Sequence, residues 1–498
     1  MRDRVALTLA AATAAVHLAV AGRYDVFRDE LYFIVCGRHP SFGYADQPPL
    51  VPLLAAGSYA LGAHTWLVRL GAVVAAAALV WVVVAFVRLL GGGDAAAWIG
   101  GLAAAIAPVL MGLTATLATT TFEPLAWTLV AYGLARAALV NDTRSLLWTG
   151  LVAGLAMEAK YALPLWLAAL ALGLATTSQR TLLRRGNLWL GVGLAAVIAA
   201  PSVAWQALHG WPFVELVHNA GAKDVATPPL AFALNQIVVL NPLLAPLWIA
   251  GLAAPFASRE LRPLRFVSVA WVLTALAIVA GHGKDYYLAP AYPPLFALGA
   301  VAYERAVRNI VARVAYPAAA LALTAVVAPV ALPILPPPAL VVYQRALHLT
   351  PQQQERGDAA DVLPAWFADM LGWHDFVREV GSAYDALPDS ERSRTSILVD
   401  NYGEAAALDV YGFAYQLPPA LSGHNQYFFW GLRGQHPANL LTVVNDVAQL
   451  RPYCDSVHVV GETRSRYARD FENGRAIAVC LGQHPPLASL WPQLKVFI

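Results

Sequence analysis

Residues 28–52 read RDELYFIVCGRHPSFGYADQPPLVP. This stretch directly follows a first apolar run, Val5 to Ala21, so it should lie at a membrane surface. It sets Asp29, Glu30 and Asp46 beside a Gln47-Pro48-Pro49-Leu50 turn. Ionisable groups are costly next to hydrocarbon, and those kept there usually serve a function.

The rest of the chain supplies the membrane segments. Its 498 residues are 58% hydrophobic and 13% charged, against about 25% charged in a soluble domain. The opening MRDR and the apolar run behind it have the outline of a secretory signal. Many further apolar segments follow, so the run reads as a retained first span. A bilayer core takes about 20 helical residues. By that measure spans fall near 5–21, 66–90, 95–113, 118–139, 146–158, 161–176, 187–208, 230–256, 265–281, 285–303 and 311–335. The pair around Met157 to Tyr161 is short, so the expected number is about eleven.

Arginines then give the orientation. Arg88, Arg136 with Arg144, Arg180 to Arg185, Arg259 to Arg265, and Arg305 to Arg313 occupy every second loop, which the positive-inside rule assigns to the cytoplasm. The alternate loops, which hold 28–52, 158–161, 209–229 and 282–286, face outward. After the break LPILPPP at 332–338 the composition becomes that of a soluble domain. The expected organisation is a transmembrane module over 1–338, whose first outer loop, 22–65, carries surface helices, and an extracytoplasmic α/β domain over 339–498. Strands are expected at Ile397 to Asp400 and Val457 to Val460, with a helix over Tyr402 to Tyr411. Outside the cytoplasm Cys454 and Cys480 pair as a disulfide or remain two buried thiols. Three cysteines are too few and too scattered for a zinc site. No basic face marks a nucleic-acid binder. Phosphate-loop, dinucleotide and zinc-protease motifs are absent.

The chain has four lysines, Lys160, Lys223, Lys284 and Lys495, and all four map to the outer side. Cations kept outside against the prevailing bias suit an anionic ligand there. A short helix from Asp29 would lay Leu31, Ile34 and Val35 into the membrane interface and aim its carboxylates at water. A carboxylate in a partly dry cleft can serve as a general base. Alternatively the acidic pair caps a helix N-terminus, and Asp46 is simple turn chemistry.

The DE pair, the short helix and the acid before PPL resemble the first external loop of GT-C-fold polyprenyl-phosphate-sugar glycosyltransferases. Within that class the likeness is to the protein O-mannosyltransferases and lipid A aminoarabinose transferases, and the tail is similar to those of bacterial family 39 members. The likeness covers residues 1–335. It implies that Asp29, with Glu30 beside it, is the catalytic base and that Asp46 and Gln47 serve the acceptor side. Relatives carry Lys where this chain has Gln47. KDYYLAPAYPPL at 284–295 is similar to a late outer-loop motif that contacts the donor phosphate, which implies that role for Lys284, Tyr287 and Tyr286. Lys160, in MEAKYALP, matches a lysine-bearing outer turn, unless it simply pairs with Glu158. Glu123, His218, Lys223 and His282 are further candidates. A divalent metal shared by Asp29 and Asp46 stays open.

These features together imply an inverting glycosyltransferase of the bacterial inner membrane. It would take a polyprenyl-phosphate-linked monosaccharide and an envelope glycan, lipid or protein acceptor. A transporter or flippase for a lipid-linked anion is the competing reading. It calls for midplane carboxylates and internal repeats, whereas these acids gather at the surface. A non-catalytic scaffold has no use for Asp29, Asp46 and Lys284 on one face.

Overall fold

The computed structural model describes residues 3–223, 227–351 and 361–498, the side chains of Ala222 and Lys223 excepted. The chain packs as two compact units. One comprises Met1–Gly22, Trp66–Ala204 and Ala226–Ile334; the other comprises Arg23–Thr65, Trp205–Val225 and Leu335–Ile498. The expected tail domain is thus joined in its unit by two earlier segments of the chain.

The first unit is helical throughout. All eleven expected segments form helix, but breaks divide several of them. Among the described residues, four helices are long and apolar enough to cross a membrane: Leu70–Leu89, Gly186–Leu208, Arg262–Ala280 and Ile310–Ala331. Arg4–Val20, Asp94–Ile106, Ser145–Met157 and Leu163–Thr176 are apolar and shorter. The expected span at 95–113 is split where Pro108 starts a new helix, because proline cannot donate to the preceding turn. That at 230–256 is two helices meeting at 94°. Asn241 sits between them with φ of 80°, and its side chain caps the next turn at Leu243 N, 2.9 Å. The segment at 285–303 opens as a 3-10 turn over Asp285–Ala291 before the helix Pro293–Ala306.

Small residues let these helices touch. A side chain on Gly251 would fall 2.0 Å from the Leu295 carbonyl oxygen, and one on Gly299 would fall 2.0 Å from that of Leu247. The helices Ala245–Ala257 and Pro293–Ala306 therefore approach backbone to backbone. Several of the arginine-bearing turns meet one another. Arg88 pairs with Asp3 at 2.7 Å, Arg305 with Glu260 at 2.6 Å, and Glu304 accepts from Gly93 N at 2.7 Å.

The second unit is mixed. Its sheet runs β1 (Thr395–Leu398), β2 (Asn439–Val444), β3 (Cys454–Glu462) and β4 (Ala476–Gln483) in the order β1-β2-β4-β3. β1 is parallel to β2 with Thr395 opposite Asn439, and β4 is antiparallel to both its neighbours. The expected strands fall on β1, displaced by two residues, and inside β3, and the helix Tyr402–Tyr411 has its expected bounds. Cys454 and Cys480 are joined as a disulfide with Cα atoms 5.4 Å apart, and Cys36 is a buried free thiol.

Candidate active site

The helix Arg28–Arg38 carries the first two acids in its first turn. Its backbone N–H groups there have no intrahelical partner. Glu30 supplies one acceptor: its Oε2 takes the Phe27 N–H at 2.8 Å, and the residue is wholly buried. Capping, offered above for the pair, is therefore Glu30's task. Asp29 points elsewhere and is 32% exposed. Tyr402 donates its hydroxyl to Asp29 Oδ1 at 2.7 Å. The Arg28 guanidinium lies 5.3 Å over the Tyr402 ring and 3.5 Å from Asp369. Burial raises the Asp29 pKa above its ordinary value, against the opposing pull of Arg28 and of the Tyr402 hydroxyl. A carboxylate pushed upward with an edge in solvent is a stronger proton acceptor than an ordinary one.

The expected amphipathic surface helix is corrected in one respect. Leu31, Ile34 and Val35 are buried within the protein, together with Tyr32, Phe33 and Cys36. The helix packs against the helix Leu50–Ala60, and Gly37 lets the two close up. A side chain there would fall 2.1 Å from the Pro52 carbonyl oxygen.

Three residues after Asp29 comes Tyr32, on the same helical face. Its hydroxyl donates to Asp46 Oδ1 at 2.8 Å and accepts from Gln426 N at 3.0 Å. Asn425 Nδ2 approaches Asp46 Oδ2 at 3.5 Å. Burial lifts the Asp46 pKa to about 7, and the Asp29 charge adds to the rise against the Tyr32 bond. Gln47 is buried with Nε2 3.9 Å from Cys36 Sγ, and its carbonyl accepts from Tyr44 N at 2.9 Å. It shapes the turn. Asp29 and Asp46 are thus gathered beside Tyr402, Tyr32 and Asn425.

The candidate phosphate ligands belong to the other unit. Lys160 Nζ bonds Glu123 Oε2 at 2.8 Å, so its partner is Glu123 and not the neighbouring Glu158, which accepts from Ser202 at 2.7 Å. The Lys160 ammonium also lies 5.3 Å over the Tyr287 ring, and Tyr286 and Tyr287 meet edge to face at 4.8 Å. Asp285 pins this turn, because Asn235 donates to its carboxylate at 3.1 Å and Gln236 to its carbonyl at 3.1 Å. Lys284, half-buried, starts the turn, and His282 beside it is exposed with φ of 54°. His218 is exposed on the helix Pro212–Lys223, and the Lys223 side chain lies outside the described residues. Among the described residues no group of three His, Cys, Asp or Glu is placed to hold a metal ion.

Sequence reasoning missed the roles of Tyr402 and Asp369. The run Asn401-Tyr-Gly-Glu404 does signal a capped helix start, but nothing local shows what its tyrosine touches.

A model of the dolichyl-phosphate-mannose-protein mannosyltransferase family matches residues 46–205. No curated protein matches in sequence. Two solved structures of ArnT from Cupriavidus metallidurans are similar along nearly the whole chain. One is bound to undecaprenyl phosphate and gives a TM-score of 0.59; the other is in the apo state and gives 0.57. Each is 14% identical, over 95% of this chain and 97% of the other. The fold is shared.

Proposed function

We propose that this chain, a multi-pass membrane glycosyltransferase of the GT-C fold, moves a monosaccharide from a polyprenyl-phosphate donor to a hydroxyl of an extracytoplasmic acceptor. The observation that carries the reading is Asp29, a partly exposed carboxylate held by Tyr402 at 2.7 Å in a loop that resembles the catalytic loop of that class. The acceptor hydroxyl oxygen attacks the anomeric carbon from the side opposite the phosphate, so the configuration inverts. Asp29 takes the hydroxyl proton as the new C–O bond forms. The bond to the phosphate oxygen breaks, and its electron pair leaves with the polyprenyl phosphate.

The likeness of residues 284–295 to a donor-phosphate motif supports the assignment of Lys284 and Tyr287, together with Lys160, to that departing anion, through charge-assisted hydrogen bonds. Tyr286 supports the same turn. Glu123 fixes the Lys160 side chain by their ion pair. The arginine alternation supports a bacterial inner membrane with the residues from 335 onward outside the cytoplasm.

The test is a transfer assay on purified variants. Radiolabelled undecaprenyl-phosphate hexoses and pentoses serve as donors, and envelope from a deletion strain supplies acceptor. Asp29→Asn keeps the shape but cannot accept a proton, and should lose about 10²–10⁴-fold in turnover. Lys284→Ala should lower turnover even at saturating acceptor. No transfer by the wild-type protein, or near-normal turnover by Asp29→Asn, would overturn the assignment.

A further inference from the structure

Tyr402 stands in the C-terminal part of the chain, and no step above uses it directly. Its ring is held from three sides: Tyr32 at 4.8 Å between centroids, the Arg28 guanidinium at 5.3 Å, and His424 at 5.0 Å. Gly403 beside it makes room for this packing, since a side chain there would fall 2.5 Å from Arg28 Cγ. The backbone is equally fixed. Asn401 caps the helix Tyr402–Tyr411 by accepting from Gly403 N at 2.8 Å and Glu404 N at 3.0 Å. Glu404 in turn accepts from Asp400 N at 3.0 Å and is paired with the buried Arg475. A ring so confined has one place for its hydroxyl, and that place is Asp29 Oδ1.

We propose that Tyr402 is a positioning residue for the base. Its hydroxyl holds one carboxylate oxygen of Asp29 and leaves Oδ2 turned toward the acceptor hydroxyl. Arg28 completes the clamp: its guanidinium lies over the Tyr402 ring, and its backbone N–H donates to the Asp369 carbonyl at 2.9 Å. Asp369 is itself bound by Arg469 at 3.2 Å. The C-terminal domain thereby sets the geometry of a base that the first outer loop supplies. This inference rests on the reading of Asp29 as the base.

A purely structural Tyr402–Asp29 bond would dock the loop and leave the proton transfer alone, so the test follows the proton. The groups facing Asp29 are Arg28, which favours the carboxylate, and Asp369, Glu30 and Asp46, which oppose it. All four remain in Tyr402→Phe, which keeps the ring and removes one hydrogen bond to the charged form. Loss of that bond raises the Asp29 pKa. The acid limb of the kcat/KM profile should therefore move to higher pH, and kcat on the plateau above it should fall about 10- to 100-fold, the cost of a base that is no longer held in place. KM for the labelled undecaprenyl-phosphate sugar should stay unchanged. In the double variant with Asp29→Asn, Tyr402→Phe should cost nothing further, because the residue acts through the base. A 3-fluorotyrosine at 402, a stronger donor, should move the acid limb the other way and keeps the test open if Tyr402→Phe folds poorly. A wild-type profile in both variants, or additive losses in the double variant, would overturn the positioning role. If Asp29→Asn alone keeps near-normal turnover, the base assignment has failed instead.

Discussion

Asp29 and Asp46 are gathered in one cluster, but their surroundings differ. Asp29 has solvent on one edge and Arg28 on the other, whereas Asp46 receives two neutral donors, Tyr32 and Asn425. Neutral donors offset less of the burial cost than a cation does, and Asp46 ends near pH 7. The folded protein therefore keeps a proton on Asp46 that the unfolded chain releases near pH 4. The protonated form's contribution to stability is complete below about pH 4 and is lost as pH rises toward 7. We expect the melting temperature in detergent to fall across this window, and Asp46→Asn, which cannot titrate, to flatten part of the fall. An undiminished slope in the variant would remove the shifted carboxyl from the account. The presence of acids in this loop is legible in the sequence. Which acid caps the helix and which faces outward is not, because the division depends on the path of the chain around Phe27.

At the scale of the element, the helices Arg28–Arg38 and Leu50–Ala60 pack tightly because Gly37 carries no side chain. Gly37→Ala would set a methyl 2.1 Å from the Pro52 carbonyl oxygen and 2.6 Å from Ala56 Cβ. Backbone cannot yield as a side-chain tip can, so the helices must part. We expect a loss of about 1–3 kcal/mol, the range for overpacked sites, measured as a lowered melting temperature. Turnover should drop as well, since Asp29 and Tyr32 ride on the displaced helix. A melting temperature equal to wild type would show that the pair tolerates separation. Apolar runs located every α-helix of the first unit, because burial in lipid is written into local composition. Their lengths were less legible. A run of apolar letters does not show that Pro108 restarts a helix or that Asn241 turns one through 94°.

For the whole molecule, the arginine alternation predicts that the residues from 335 onward lie outside the cytoplasm. A reporter active only in the cytoplasm, fused after Ile498, should be silent, and the oxidised pair Cys454–Cys480 belongs to the same expectation. Alkylation of the denatured, unreduced protein should label Cys36 alone, and all three cysteines should react after reduction. The bridge joins residues 26 apart, a loop whose closure is worth about 3 kcal/mol in the chain-entropy account. Reporter activity together with labelling of Cys454 and Cys480 would reverse the assigned side.

The sequence by itself determined that this is a chain of apolar helices with arginines in alternate turns, acids in one outer loop and four lysines set apart from the other cations. Each of those signals is local, carried by composition or by spacing along one segment. Only the tertiary structure decided the company these residues keep. Tyr402 reaches Asp29 across 373 positions and Asn425 reaches Asp46 across 379. Lys160 prefers Glu123, 37 residues away, to the glutamate two positions before it. A hydrogen bond depends on distance in space to within a few tenths of an ångström, and spacing along a chain constrains that distance only inside one helix or turn.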